Sequence, residues 1–183
     1  MSSAQLRRLN WGCGPVTARG WVNCDKILGP GVDVCCDVRS GLPLRDGSFD
    51  YAVGVHVLQD LAYPDVVPAL RELRRVLKPD GVLRLVLPDL ERALQAHRAN
   101  DRAYFYVPDE DAATVDGKLA VQITWYGSVR TPFTFAFAAE LLERSGFRRV
   151  VRCPFGETAS RHSEIAMLDN RPRESVCVEA SRP

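Results

Sequence analysis

Gly12 and Gly14 stand one residue apart in the stretch LNWGCGP, directly after an apolar run. In an α/β layered chain the turn after the first strand faces the ligand crevice, and glycine there lets a ligand approach the main chain closely. What the turn lacks narrows the choice of ligand. A Walker loop needs Gly-Lys-Ser/Thr, whereas Gly14 is followed by Pro15-Val16-Thr17. A dinucleotide fingerprint needs a third glycine where Thr17 stands. Two carboxylates downstream suit a nucleoside instead. Asp25, ending the second strand-like run, can accept both hydroxyls of a ribose diol, and Asp37, one strand over, sits where an adenine edge would lie. An ordinary tight turn is the alternative for the glycine pair alone.

The elements that must position these groups follow from periodicity. Leu6–Trp11, Trp21–Asp25, Val32–Cys36 and Phe49–Val55 read as strands. After Pro64, Val66, Val67, Leu70, Leu73, Val76 and Leu77 fall on one face of a helix, and Arg71, Arg74 and Arg75 on a solvated one. KPDG at 78–81 is expected to stop that helix with turn chemistry. Val82–Leu87 is a fifth strand, followed by a helix that turns Leu90 and Leu94 inward and has Asp89 as its N-cap. Periodicity fails over 99–118, where a loop or lid is expected. It returns in a helix over Phe135–Arg144, capped by Thr134 and ended by Gly146, and two strands, Arg148–Cys153 and Ser175–Ala180, close the sheet. The connection between them is polar and carries no clear pattern.

Composition bounds the whole. With 183 residues, 46% of them hydrophobic, the chain reads as one domain over 1–183, with a lid or acceptor-binding insertion around 99–131. Lys and Arg number 24 against 23 Asp and Glu, so no basic block argues for nucleic acid, and a small-molecule partner is favoured. No apolar run suits a membrane span, and MSSAQLRRLN has no apolar core to act as a leader. The six cysteines form no C-x-x-C pair, so buried, reduced thiols and a cytoplasmic location are expected.

In order, LNWGCG, GWVNCD, LPLRDGSFDYAVGVHVLQDL and RELRRVLKPDGVLRLVLPDL resemble the class I S-adenosylmethionine-dependent methyltransferases of the type-11 group. The resemblance covers roughly residues 6–95, and the tail LDNRPRESVCVEA is similar to small methyltransferases associated with glycan biosynthesis. It implies a Rossmann-like fold with a seven-stranded, mostly parallel sheet of order 3-2-1-4-5-7-6, helices on both faces and the last strand antiparallel. It also implies S-adenosylmethionine as cofactor. Gly12, Cys13 and Gly14, with Asn10 beside them, would hold its methionine end, Asp25 the ribose, and Asp37 with Val38 the adenine. His56 would lie beside the cofactor.

Methyl transfer to a hydroxyl needs the acceptor aligned and its proton removed. His56, Gln59 and Asp60 stand at i, i+3 and i+4, where relatives carry Glu-His in the last two slots. His56 or Asp60 is a candidate base, or the two together would hold a divalent metal beside Gln59, a poor ligand. Packing by His56 and capping by Asp60 are the structural alternatives. Asp89 either orients an acceptor hydroxyl or only caps its helix. Trp125, Tyr126 and Arg130 suit a sugar pocket, with core packing the rival for Trp125, while His162 belongs to the tail and His97 to the outer end of a helix. The expected function is O-methylation of a small hydroxyl-bearing acceptor, most simply a sugar or glycan precursor, with a homodimer closing the cleft. N- or C-methylation, and a non-catalytic cofactor-binding module, are the rivals.

Overall fold

The structure is a computed structural model, and it describes residues 6–183; the leader-free reading of MSSAQ lies outside the described residues. Seven strands form one sheet in the order β3-β2-β1-β4-β5-β7-β6. They are β1 (Arg8–Trp11), β2 (Val22–Asp25), β3 (Val34–Cys35), β4 (Phe49–Val55), β5 (Leu77–Pro88), β6 (Arg148–Cys153) and β7 (Ser175–Ser181). All neighbours pair in parallel except β7, which runs antiparallel to both β5 and β6. Central β4 is flanked by β1, with Leu9 beside Ala52, and by β5, with Gly54 beside Leu85. Strands buried on both faces read as continuous apolar runs rather than alternating ones, and β4 and β5 do so.

Helices α1 (Tyr63–Val76) and α4 (Phe135–Arg144) cover one face. Leu70, Leu73, Val76, Leu141 and Leu142 pack there with Leu9, Ala52, Leu83, Leu85 and Val178 in the main core. On the other face Tyr51, Val53, Trp21 and Val82 are covered by Ile165 and Leu168. The irregular 154–174 connection thus does the work of a helix. A buried ion cluster fastens it: Arg84 of β5 meets Asp169 at 2.5 Å and Glu179 of β7 at 2.7 Å, all three essentially without solvent contact. A guanidinium so deep is tolerated because two carboxylates pair with it.

Three expectations are corrected. KPDG does not end α1: the helix stops at Val76, Leu77 already pairs with Phe49, and residues 78–81 are extruded before Val82 pairs with Tyr51. The cap comes from far along the chain, where Arg182 donates to the carbonyls of Arg74, Arg75 and Leu77. Within the expected loop, α3 (Val115–Thr124) forms, capped by Thr114, whose Oγ1 accepts from Gly117 N at 3.0 Å. Its Val115, Leu119 and Ile123 pack on Ala93 and Ala96 of α2 (Leu90–Arg98), a small core separate from the sheet. Those two alanines are the buried residues of α2, with Leu90 and Leu94 half-buried beside them. Finally, four cysteines are buried and all six are free, but Cys35 is exposed.

Candidate active site

The glycine turn leads into no helix. Residues 12–21 cross from β1 to β2 as a loop, and side chains fix it: Asn10 Nδ2 donates to Val16 O at 2.9 Å and to Asn23 Oδ1 at 3.0 Å. Gly12 has φ of 63°, and a Cβ there would lie 2.2 Å from Val57 Cγ2. Its bareness therefore seats the turn against the end of β4. Gly14 has φ of 51° and open space within 4 Å of where a Cβ would stand. That open side belongs to a cavity of about 330 Å³ walled by Trp11, Gly12, Gly14, Asp25, Asp37, Val38, His56 and Asp60, among others.

Asp25 is held ready at the mouth of β2. Its Oδ2 accepts from Gly14 N at 2.8 Å and its Oδ1 from Ile27 N at 2.9 Å. Each carboxylate oxygen keeps a second lone pair for a ligand hydroxyl. Asp37 is differently placed: Arg39 grips both its oxygens, one at 2.6 Å, and holds the carboxyl down at about 2. It lines the cavity as half of an ion pair. Asn10 and Cys13 lie outside the walls. The first is spent on the loop, and Cys13 is buried, its N–H donating to Cys24 O at 3.1 Å. The remaining walls match a nucleoside carrying an amino-acid arm: a carboxylate for the ribose, a bare turn, and Arg130 and Lys26 as cations.

A second cavity, of about 260 Å³, adjoins the first. α2 contributes Leu90 and Ala93, α3 contributes Gln122 and Ile123, and the chain beyond α3 adds Trp125, Ser128 and Val129. His56, Gln59 and Asp60, which follow β4, form its floor together with Asp89, while Arg171 and Glu174 enter from the 154–174 connection. His56 and Asp60 wall both cavities.

Their chemistry differs. Arg171 Nη1 approaches His56 Nδ1 at 3.2 Å, and a guanidinium can only donate. Nε2 therefore carries the proton and donates to Ser175 Oγ at 2.7 Å, and that hydroxyl passes its own hydrogen to Arg171 O at 2.9 Å. Burial, with Arg171 adding to it, pushes the imidazole down to about 3, so it is neutral and engaged at both nitrogens. Among the described residues Asp60 faces no cation in hydrogen-bond range. Burial raises its carboxyl above the usual carboxylate range, against the opposing pull of Lys26, Arg171 and a 3.2 Å bond from Gln59 Nε2.

Both Asp89 oxygens are engaged. Oδ1 caps α2 through Glu91 N at 3.0 Å and Arg92 N at 3.4 Å, while Oδ2 accepts from Arg152 at 2.8 Å. Of the residues expected around the acceptor, Trp125 walls the second cavity, Arg130 the first, and Tyr126 neither, its hydroxyl bonding Asp111 at 2.6 Å. His162 is buried against Tyr51, ring centroids 4.9 Å apart, on the sheet face covered by the tail. His97 joins α2 to α3 through Asp116. Among the described residues no three His, Cys, Asp or Glu side chains converge as a metal-ligand set, and no helix is long and apolar enough to cross a membrane. Sequence reasoning missed Arg171, Glu174, Tyr104 and Gln122. The Val115-Leu119-Ile123 spacing and the Thr114 cap were the signals that α3 would bring Gln122 here.

A sheet of order 3-2-1-4-5-7-6 with its ligand cavity beyond the carboxyl ends of β1, β2 and β4 defines the class I methyltransferase fold. Residues 12–85 match the family model described as a methyltransferase domain. It is similar to an S-adenosylmethionine-dependent methyltransferase of Archaeoglobus fulgidus, at 15% identity over 98% of this chain and 87% of that one, with TM-score 0.61. The corresponding values for one from Mesorhizobium loti are 20%, 97%, 91% and 0.55. For 1,6-didemethyltoxoflavin-N1-methyltransferase of Burkholderia thailandensis, with 1,6-didemethyltoxoflavin and S-adenosylhomocysteine bound, they are 16%, 96%, 70% and 0.55. An uncharacterized protein of Methanocaldococcus jannaschii is 31% identical over 75 residues, which span 41% of this chain and 32% of that protein's length.

Proposed function

We propose that this chain transfers the methyl group of S-adenosylmethionine to a hydroxyl of a small polar acceptor, a sugar or glycan precursor, in the cytoplasm. The observation that carries the reading is the sharing of His56 and Asp60 by two adjoining cavities, one with the donor set for a nucleoside and one open to a small molecule. When bound, the cofactor supplies a sulfonium-activated methyl group. Gly12, Gly14 and Asp25 would hold it, with Val38 and the Asp37–Arg39 pair at its far end.

Asp60 takes the acceptor's proton. Its raised pKa makes it a better base than an ordinary carboxylate, and it stands where the two cavities meet. His56, neutral and bonded on both sides, orients Arg171 and Ser175 instead of accepting a proton. Aromatic and apolar walls from Tyr104, Ile123, Trp125 and Val129 exclude water from the acceptor. A homodimer closing the cleft belongs to the same reading, and an active monomer at high dilution in light scattering would remove it. The deciding experiment is turnover with labelled cofactor across a panel of hydroxyl acceptors, comparing wild type with Asp60→Asn. Loss of rate with cofactor binding retained supports the reading. Undiminished turnover in the variant would favour N- or C-methylation, which needs no such base.

A further inference from the structure

Two sulfurs meet beside the first cavity: Cys24 Sγ and Cys36 Sγ lie 3.2 Å apart. Strand register makes the contact. Cys24 pairs with Val34 across β2 and β3, and Cys36, two residues beyond Val34, turns to the same sheet face. Cys36 N donates to Asp25 O at 2.9 Å, which holds the second chain in place. Cys24 has no solvent exposure, whereas Cys36 is half-buried and forms part of the cavity wall with Asp25, Asp37 and Val38. Each of the two directly precedes a carboxylate of that wall, Asp25 or Asp37. Cys153 and Cys177 differ: they are register partners on β6 and β7, but Cys177 Sγ turns to Asp169, at 3.8 Å. Burial raises both thiols of the close pair, so neither is a reactive cysteine by itself, and proximity is what couples them. Cys24, the deeper, keeps its hydrogen and donates it to Cys36, which makes Cys36 the sulfur favoured as thiolate within the pair.

We infer that Cys24 and Cys36 are an oxidation site that governs the cofactor cavity: hydrogen peroxide converts the two thiols to a disulfide, and the closed form holds S-adenosylmethionine more weakly. The weakened binding rests on the methyltransferase reading above, and the bond itself does not. The Cys36 sulfur attacks one peroxide oxygen, the O–O bond breaks, and the departing hydroxide takes up the thiol's proton as water, leaving a sulfenic acid. The Cys24 sulfur then attacks the Cys36 sulfur, the S–O bond breaks, and the hydroxyl leaves as water with the Cys24 proton. Two thiols and one peroxide thus give one disulfide and two waters. Disulfide sulfurs stand about 2.05 Å apart, so closure from 3.2 Å draws the end of β2 and the residue after β3 together by about 1 Å. Asp25 is tied to Gly14 N and Ile27 N, so the shift moves the ribose carboxylate and the glycine turn together. In a reducing compartment such a bond is transient and is reversed by thiols.

The test uses the full chain, reduced and freed of reductant, before and after hydrogen peroxide. Peptide mapping should find Cys24 joined to Cys36. Calorimetric titration with S-adenosylhomocysteine should show affinity falling several-fold on oxidation and returning with dithiothreitol. Cys24→Ala should keep its own affinity through the same treatment, and Cys35→Ser should respond as wild type does. The reversal in wild type reads the effect even where a variant fails to fold. Absence of the Cys24–Cys36 link, a link at Cys153 and Cys177 in its place, a link that leaves affinity unchanged, or an equal loss in Cys24→Ala overturns the inference. Reduced wild type that binds no S-adenosylhomocysteine strikes the methyltransferase reading instead, and the peptide map still decides whether the bond forms.

Discussion

His56 Nε2 donates to Ser175 Oγ at 2.7 Å, tying the end of β4 to the first residue of β7 across the intervening β5. The bond needs a proton on Nε2, while Arg171 Nη1 donating to Nδ1 at 3.2 Å needs that nitrogen bare, and the folded protein keeps the ring neutral down to about 3. In the unfolded chain the ring takes up a proton near 6.5. Between those values the unfolded state binds the extra proton, so stability falls as pH falls, by about 1.4 kcal/mol per pH unit for one group. His162 is lowered too and contributes in the same direction. Urea midpoints across this range should fall less steeply in His56→Gln than in wild type. An unchanged slope would show that His56 is not the buried neutral group described.

Asp60→Asn should lower kcat by about 10²–10⁴-fold if the carboxylate removes the acceptor's proton. The base must be ionised, so wild-type rate should rise with pH through a value above the usual carboxylate range, the direction in which burial moves Asp60. A kcat profile flat from pH 4 to 8 would contradict the assignment.

S-adenosylhomocysteine at a hundred times its dissociation constant should add about 2.7 kcal/mol to stability, visible as a raised melting temperature. Asp25→Ala should lose most of that response, because the carboxylate both faces the cavity and pins Gly14 N at 2.8 Å. A shift with NAD and none with S-adenosylhomocysteine would be incompatible with the cofactor assignment.

The two glycines should respond differently to alanine. Gly12→Ala forces a methyl to within 2.2 Å of Val57 in a left-handed backbone, whereas Gly14→Ala meets nothing within 4 Å. Overpacking should cost Gly12→Ala about 1–3 kcal/mol beyond the backbone strain the two share. Chemical denaturation measures the difference, and adding Val57→Ala should recover part of it.

Arg84→Met should destabilise the fold by about 3–5 kcal/mol, since Asp169 and Glu179 would be left buried without their cation. Triple replacement of the cluster by apolar residues should recover most of that loss. A single variant as stable as wild type would show that the cluster does not fasten the 154–174 connection.

Local signals made much of this legible. The Phe49–Val55 run forms β4 with those same ends, the Val66-Leu70-Leu73-Val76 stripe is the buried face of α1, and Asp89 and Thr134 cap the helices they precede. Gly12, Gly14 and Asp25 reach one cavity because a turn and a strand end are set by nearest-neighbour pairing, Trp11 lying beside Cys24.

What the sequence by itself determined, then, is the sheet and the side of the cleft walled by Gly12, Gly14 and Asp25: short-range periodicity and turn chemistry specify elements, and parallel pairing stacks their ends together. Only the tertiary structure decided the second cavity. Arg171 and Glu174 come from a segment with no repeating pattern, held in place by the buried Arg84 cluster. The surroundings of the three candidate acids and bases likewise come from distant partners. Arg171 and Ser175 engage His56, Arg152 joins the cap of α2 in engaging Asp89, and Asp60 is left half-buried and, among the described residues, unpaired by any cation. Protonation and hydrogen-bond satisfaction depend on what the whole chain packs around a group, which its neighbours in sequence do not encode.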